Sequence, residues 1–264
     1  MLADHHPSFA NPTIAEALCE IHFLANPEHP WVTSRPFPLY KRIEAEFPGM
    51  ELVPETTIRL ELGNNGPRQK VMQERQRLRF TSEDGARLLQ ISGSGDVFVY
   101  NVLRPYPGWS EVLRSLLKLW EHCTEVLRPS AVRRVGLRYI NRIEHSADAP
   151  NLSDWLHHTD RMPVALIDAG RDYRFALQIA LDENHRLAQK VSAVDPNEAE
   201  PYGATILDID CIWEGEASVQ RDAIEPILEA LHNDIWREFS SALTERLLAR
   251  LNGQPDKKQQ LKKG

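Results

Sequence analysis

Short runs of alternating apolar and polar residues, separated by turns rich in Gly and Asp, are the feature that most constrains this fold. Four such runs occupy the first half of the chain, at 57–62, 78–81, 87–92 and 97–103. The last three are joined by turns at 83–85 and 93–96, where Gly and Asp supply the positive φ angles that tight hairpins require. These three runs therefore predict an antiparallel meander.

A strand comes before this meander, and a helix and a further strand follow it. Residues 14–23 alternate in polarity, as half-buried strands do. Residues 109–127 place their apolar side chains on one face of a helix, which Arg128-Pro129 ends. Residues 131–143 alternate again and predict another strand.

The second half of the chain repeats this order in a shorter form. Strand-like runs lie at 173–181, 187–194 and 205–213, and an apolar stripe from Ile224 to Leu251 predicts one long final helix. The pattern predicts an α+β fold of antiparallel β-meanders packed by long helices, in two related-looking halves. A helix-grip fold, with the sheet curled around the last helix and a ligand cavity between them, is the alternative.

Length and charge divide the 264 residues into two lobes and a tail. We expect an N-terminal α+β lobe over 1–147, a C-terminal acidic α+β lobe over 148–253 and a disordered tail over 254–264. Residues 1–145 carry 18 basic and 17 acidic side chains, whereas residues 146–254 carry 9 and 20. Because nucleic-acid binders present a net basic face, this balance argues against nucleic acid as a partner.

Composition indicates a cytoplasmic protein. No run of apolar residues is long enough to cross a membrane, and the first residues lack the basic start and apolar core of a signal peptide. Cys19, Cys123 and Cys211 are isolated, which is typical of a reducing compartment and argues against a thiolate metal site. We expect no metal, no cofactor and no membrane contact.

The strand at 131–143 carries a row of arginines. A period of two puts Arg134, Arg138 and Arg142 on one side and Tyr139 and Asn141 on the other. Guanidinium groups bind carboxylates and phosphates in a bidentate manner, so these five residues form the candidate ligand-binding set for a small anionic, nucleotide-like molecule. Pairing with carboxylates of a neighbouring strand is the competing interpretation.

Two acidic residues of the run at 205–213 are candidates for that pairing. Asp208 and Asp210 lie on the same side as Ile206 and Ile212, and burial of carboxylates there requires a partner. We therefore expect an internal ion pair between Arg138 and Asp208 or Asp210.

The evidence for catalysis is weak. Glu16, Glu20 and His22 share the polar face of the first strand, where a carboxylate beside an imidazole suits acid–base chemistry, although exposed strand faces have the same composition. The sequence contains no phosphate-binding loop, dinucleotide fingerprint or nucleophile elbow. We assign no catalytic residue and expect a non-enzymatic protein, with a Glu/His active site as the alternative.

Aromatic residues mark two further surfaces. Tyr100, Tyr106, Trp109 and Tyr139 cluster around the start of the first long helix, where such residues either fill a core or anchor an interface. On the final helix, Trp236 and Leu248 widen the apolar face beyond one sheet contact, which makes them interface candidates for a dimer or a partner helix.

Each of the two long predicted helices carries one histidine that belongs to no recognisable motif. We expect His122 and His232 to lie at the surface or at an interface.

Several segments together resemble a sporadically distributed family of uncharacterised bacterial and archaeal proteins of similar length. The N-terminal motif is NPTIAEALCEIHF at 11–23, and the central motif is RVGLRYINRI at 134–143. NVLRPYPGW at 101–109, LDID at 207–210 and the region around His232, Ile235, Phe239 and Thr244 agree with it. The resemblance implies a prokaryotic protein encoded in mobile-element, defence or toxin–antitoxin loci, and it supplies no catalytic residue.

Together these observations favour a non-catalytic accessory protein that binds a protein partner or forms a homodimer. A sensor of a small anionic ligand is the main alternative, and the Glu/His enzyme is the second.

Overall fold

The computed structural model describes residues 6–29, 36–63, 66–167, 172–198 and 200–254. The predicted disordered tail lies outside these residues except for Gln254. The strands are β1 (Ile14–Leu24), β2 (Gly49–Gly63), β3 (Gly66–Thr81), β4 (Arg87–Ile91), β5 (Val97–Leu103), β6 (Ala131–Glu144), β7 (Arg174–Ala180), β8 (His185–Val194) and β9 (Ala204–Ala217). The helices are α1 (Pro36–Ile43), α2 (Trp109–Leu127), α3 (Val164–Ile167), α4 (Arg221–Ser241) and α5 (Glu245–Leu251).

All nine strands belong to one antiparallel sheet, in the order β2-β3-β4-β5-β1-β6-β9-β8-β7. The fold is therefore mixed α+β and mostly sheet. β1 and β6 pair at its centre, where Leu18 lies opposite Arg138 and Cys19 opposite Leu137. Both halves of the chain contribute to the same sheet through this pair.

The alternation within each central strand separates the two faces of the sheet. In β1, Ala17, Cys19, Ile21 and Phe23 are all buried, while the residues between them are half-buried. The long helices α2 and α4 pack on the face that carries these buried side chains. Alternation with a period of two thus puts one apolar row of each strand into the core.

Trp120 anchors α2 in this core. Its indole ring is fully buried and packs against Phe23 and Phe98 at 5.7 and 5.5 Å between ring centroids. Its Nε1 donates a 2.9 Å hydrogen bond to the carbonyl oxygen of Val219, just before α4. Trp120 of α2 therefore contacts both the sheet and the segment that leads into α4.

The prediction of one continuous final helix is wrong. α4 ends at Ser241 and α5 begins at Glu245, because Thr244 caps the new helix and its Oγ1 accepts a hydrogen bond from the Leu247 amide. The same hydroxyl donates to the carbonyl oxygen of Trp155, a residue that no local pattern connects with the helix. An N-cap threonine of this kind starts a helix rather than continuing one.

β2 and β3 are also longer than their predicted runs at 57–62 and 78–81. They pair continuously from Gly49 with Thr81 to Gly63 with Gly66. Backbone hydrogen bonds hold such a hairpin together even where its sequence is polar, so the apolar alternation marks only part of it.

Across the described ranges, every helix is too short or too polar to cross a membrane.

Candidate functional site

The candidate ligand-binding residues of β6 lie on opposite faces of the sheet. Tyr139 and Asn141 are buried on the face that α4 covers, and Arg134, Arg138 and Arg142 are half-buried on the other face. One ligand therefore cannot contact all five side chains, because the sheet itself separates the two groups.

Each arginine of this row has a carboxylate partner. Arg138 donates from Nε and Nη2 to the two carboxylate oxygens of Asp208, at 2.7 and 2.6 Å. Arg142 donates from Nε to Glu200 at 3.2 Å, and Arg134 pairs with Glu20. These acceptors occupy the guanidinium edges that an anionic ligand would use.

The expected internal ion pair thus involves Asp208 rather than Asp210. Asp208 lies across β6 and β9 beside Arg138, and only 8% of its side chain is exposed. Asp210 is more open, and burial raises its pKa although Arg134 and Arg138 act in the opposite direction.

The Glu/His group on β1 is engaged in similar contacts. His22 Nε2 lies 2.5 Å from Glu20 Oε1, and Arg134 Nη1 lies 2.8 Å from the same imidazole nitrogen. Hydrogen bonding from His22, with help from Arg134, lowers the pKa of Glu20 to about 2. Glu16 accepts a 2.6 Å hydrogen bond from Asn101. An acid–base catalyst works best with a pKa near the operating pH, so Glu20 is better suited to ion pairing.

We predict that Arg138→Ala destabilises the protein. Among the described residues, the change leaves the buried carboxylate of Asp208 with Lys190, at 3.9 Å, as its remaining ion-pair partner, so we expect a loss of about 3 kcal/mol in the free energy of unfolding. Arg133→Ala is the matched control, because Arg133 lies on the same strand and both side chains of its pair with Glu216 are at least half exposed. Equal midpoints for both variants in urea would contradict the structural role of Arg138.

On the helix-covered face, a pocket opens between β6, the start of α2 and α4. Its free volume is about 150 Å³, and most of its wall is aromatic or aliphatic. The residues that define it best are Tyr106, Trp109, Tyr139, His232, Trp236 and Phe239. We refer to it as the aromatic pocket.

His232 lies at the centre of the aromatic pocket. Its imidazole stacks on the indole of Trp109, with centroids 4.2 Å apart and planes 3° from parallel. Only 9% of the residue is exposed, and its Nδ1 has no hydrogen-bond partner among the described residues. Burial lowers the pKa of His232 to about 3, with a smaller contribution from His6. The ring is therefore neutral at physiological pH.

Three other polar side chains of the aromatic pocket are paired within the protein, namely Tyr106, Tyr139 and Asn141. The hydroxyls of Tyr106 and Tyr139 are 2.8 Å apart. The Asn141 side chain accepts a 2.9 Å hydrogen bond from Thr13 and donates a 3.4 Å bond to the carbonyl of Leu207. His232 Nδ1 thus differs from its neighbours, because a buried nitrogen without a partner carries a desolvation cost.

The N-terminal segment of the chain forms one wall of this pocket. His6 stacks on Trp236 at 4.9 Å and hydrogen-bonds to Asn233 at 2.7 Å, and Phe9 packs on the same indole. The interface candidate Trp236 is therefore covered by the chain itself. The second candidate, Leu248, lies on α5 and is 42% exposed.

The expectation that His232 lies at the surface or at an interface is wrong. His232, Ile235, Trp236 and Phe239 follow helical spacing, which places the imidazole beside the apolar stripe, and this spacing was the signal available in the sequence. Tyr100, from the predicted aromatic cluster, lies elsewhere in the core, where its hydroxyl interacts with Ser115 and Arg87.

Other chemistry has less support. Burial raises the pKa of the Cys19, Cys123 and Cys211 thiols, so none of them is a ready nucleophile. Within the described part of the chain, no three His, Cys, Asp or Glu side chains are grouped to hold a metal ion.

No model of a known protein family matches the sequence, and no curated protein shows significant similarity to it.

We predict that His232 makes stability depend on pH. Its pKa is lowered from 6.5 to about 3 by folding, so the unfolded chain binds an extra proton between these values and stability falls as pH drops below 6.5. From about pH 7 to about pH 5.5, the wild type should lose about 1 kcal/mol more unfolding free energy than His232→Gln. Urea titrations at both pH values measure this difference, and equal losses would refute it.

Proposed function

We propose that the protein is a non-catalytic binding protein that holds a small molecule with a planar, uncharged ring in the aromatic pocket. The observation that carries this proposal is the buried His232 imidazole, which lines the aromatic pocket and whose Nδ1 has no hydrogen-bond partner among the described residues. Ligand sites commonly combine apolar walls with a few polar groups of this kind.

The size of the aromatic pocket limits the ligand. An apolar cavity of about 150 Å³ accommodates a molecule of about the size of benzene. Among the described residues that line it, none is a lysine, arginine, aspartate or glutamate. The part of the ligand that enters should therefore be a single ring without charge, since an unpaired charge there would be strongly disfavoured.

His232 supplies the orientation of that ring. A neutral imidazole has one nitrogen that accepts a hydrogen bond and one that donates, and the tautomer decides which is which. Nδ1 can therefore pair with a ligand hydroxyl in either tautomer. The stack on Trp109 fixes the plane of the imidazole, so the direction of this bond is set before the ligand arrives.

The topology supports a finer description of the fold. Each half begins with a strand, β1 or β6, which pairs with the last strand of its own meander, and each half then adds a long helix. This shared order favours two related halves joined at the β1–β6 pair. The pocket between α4 and the sheet is the arrangement expected of a helix-grip protein.

A second candidate function is self-association at the edge of the sheet. β2 forms that edge, and two of its apolar side chains are unusually open, with Met50 40% and Leu52 55% exposed. Exposed apolar groups at a strand edge favour pairing with another chain, here a second copy of this one.

Light scattering at increasing protein concentration tests this second candidate. We expect a mass that rises toward a dimer in the wild type and stays lower in Leu52→Lys, because a charge at the edge disfavours pairing. Leu248→Lys is the matched control, as it changes an exposed leucine on α5. A monomer at every concentration, or disruption by Leu248→Lys alone, would exclude the β2 edge.

For the principal proposal, we predict that 2-phenylethanol binds in the aromatic pocket. At about 100 times its Kd a ligand adds about 2.7 kcal/mol to the free energy of unfolding, so the Tm should rise by several degrees. Fluorescence should change in parallel, because Trp109 and Trp236 line the pocket.

Two variants of α4 make this test specific. Ile235→Phe fills the pocket and should abolish binding, whereas Ile227→Phe makes the same change at a half-buried position that does not line it. The proposal fails if neither Tm nor fluorescence responds in the wild type, or if Ile235→Phe binds as well as Ile227→Phe.

A further inference from the structure

We infer that residues 6–9 form a flap over the aromatic pocket, which swings away to admit a ring and closes again behind it. This inference rests on the proposed function, because it describes how a ligand reaches the same pocket. It is carried by the burial of His232 and by the way in which residues 6–9 are anchored.

The burial of His232 requires part of the pocket wall to move. The Nδ1 atom of His232 is buried, and only 9% of the residue is exposed. A ligand atom therefore cannot pair with Nδ1 while the whole wall stays in place. The part that moves should be the one with the fewest bonds, because local opening begins where a structure has few contacts.

Most of the wall belongs to strands and helices that backbone hydrogen bonds hold in place. Tyr139 lies in β6, which pairs with β1 and with β9. Ile235 and Phe239 lie within α4. Trp109 begins α2, and its Nε1 donates a 3.0 Å hydrogen bond to Glu229 of α4. Movement of any of these residues would disrupt the sheet or a long helix.

Residues 6–9 are anchored in a different way. Among the described residues, their backbone groups form no hydrogen bond with another backbone group. The first such bond of the N-terminal segment joins the amide of Asn11 to the carbonyl oxygen of Leu251, at 2.9 Å. The chain bends at Ala10 and Asn11, just before this bond is made. The flap can therefore pivot at this bend without breaking a backbone hydrogen bond.

The side chains of the flap close it onto one indole ring. His6 stacks on Trp236 with centroids 4.9 Å apart, and Phe9 packs on the same ring at 5.8 Å. His6 Nε2 also forms a 2.7 Å hydrogen bond with Asn233 Oδ1. Opening the flap thus breaks two ring contacts and one hydrogen bond, and it leaves the sheet and the helices intact.

The closed flap leaves room for a ligand beneath it. The pocket has its free volume of about 150 Å³ with His6 and Phe9 in place, which suits a ring of about the size of benzene. The flap therefore controls the rate at which a ring enters and leaves. A weaker flap should speed up association and dissociation alike and change their ratio much less.

Alkylation of a cysteine in the pocket tests the flap without a ligand. Ile235→Cys places a thiol in the pocket wall, where iodoacetamide, a small uncharged reagent, should reach it when the flap opens. Adding His6→Ala removes a ring stack and a hydrogen bond, so labelling should become about tenfold faster. His158→Ala is the matched control, because it removes an exposed histidine outside the pocket and should leave the rate unchanged.

The native cysteines distinguish flap opening from unfolding. Cys19, Cys123 and Cys211 are buried, so they react when larger parts of the protein unfold. Peptide mapping by mass spectrometry separates their labelling from that at position 235. Faster labelling at position 235 alone supports the flap. Equal rates with and without His6→Ala, or an equal rise at the native cysteines, would overturn it.

Stopped-flow fluorescence with 2-phenylethanol gives a second measurement that needs no introduced cysteine. His6→Ala should raise the association and dissociation rate constants about tenfold each and change Kd by less than about threefold. Unchanged rate constants would overturn the flap and leave ring binding intact. Failure of the wild type to bind would overturn the proposed function, whereas the labelling rates would still decide whether the flap opens.

Discussion

β1 and β6 lie side by side at the centre of the sheet, and their register decides which side chains of the whole sheet face the helices. A shift of one residue would turn every side chain of a strand to the opposite face. The register in place puts Cys19 and Leu137 toward the core and Leu18 and Arg138 away from it. Both the aromatic pocket and the arginine row follow from this single pairing.

The two faces of β6 consequently have different chemistry. On the open face, each guanidinium of the arginine row meets a carboxylate from a neighbouring strand or loop, so charge is balanced within the protein. On the helix-covered face, Tyr139 and Asn141 meet aromatic rings and neutral polar groups. Arg142 and Glu144 lie at the end of this strand, where they pair with Ile206 and Ala204 of β9.

Much of the fold was predictable from local periodicity. The bounds of α2 and β5 agree with the predicted ranges. The apolar residues that marked these ranges are buried, namely Trp109, Leu116 and Trp120 in α2 and Phe98 and Tyr100 in β5. The break before α5 was not predictable, because the Thr244 hydroxyl finds its acceptor at Trp155. Local patterns report burial, whereas this break depends on a contact between distant segments.

In the candidate site, too, the features set by local patterns were predictable and those set by contacts between distant segments were not. The alternation along β6 correctly predicted that Tyr139 and Asn141 lie on the face opposite the arginines. The pairing of Arg138 with an aspartate of β9 was predictable because a buried carboxylate needs a positively charged partner. The pocket around His232 was not predictable from the sequence, because its imidazole stacks on Trp109, which lies at the start of another helix. The sequence shows the spacing that places His232 beside the apolar stripe, but it does not show that Trp109 packs against His232 to complete the cavity.

The N-terminal wall of the aromatic pocket has a consequence for the time at which the pocket forms. His6 and Phe9 pack against α4, and the Asn11 amide donates to the carbonyl of Leu251 at the end of α5. Residues 6–11 and the end of α5 therefore meet at the same place. During synthesis on the ribosome, residues 6–11 are made before the helices against which they pack, so this wall of the pocket forms only after α4 and α5 have been made.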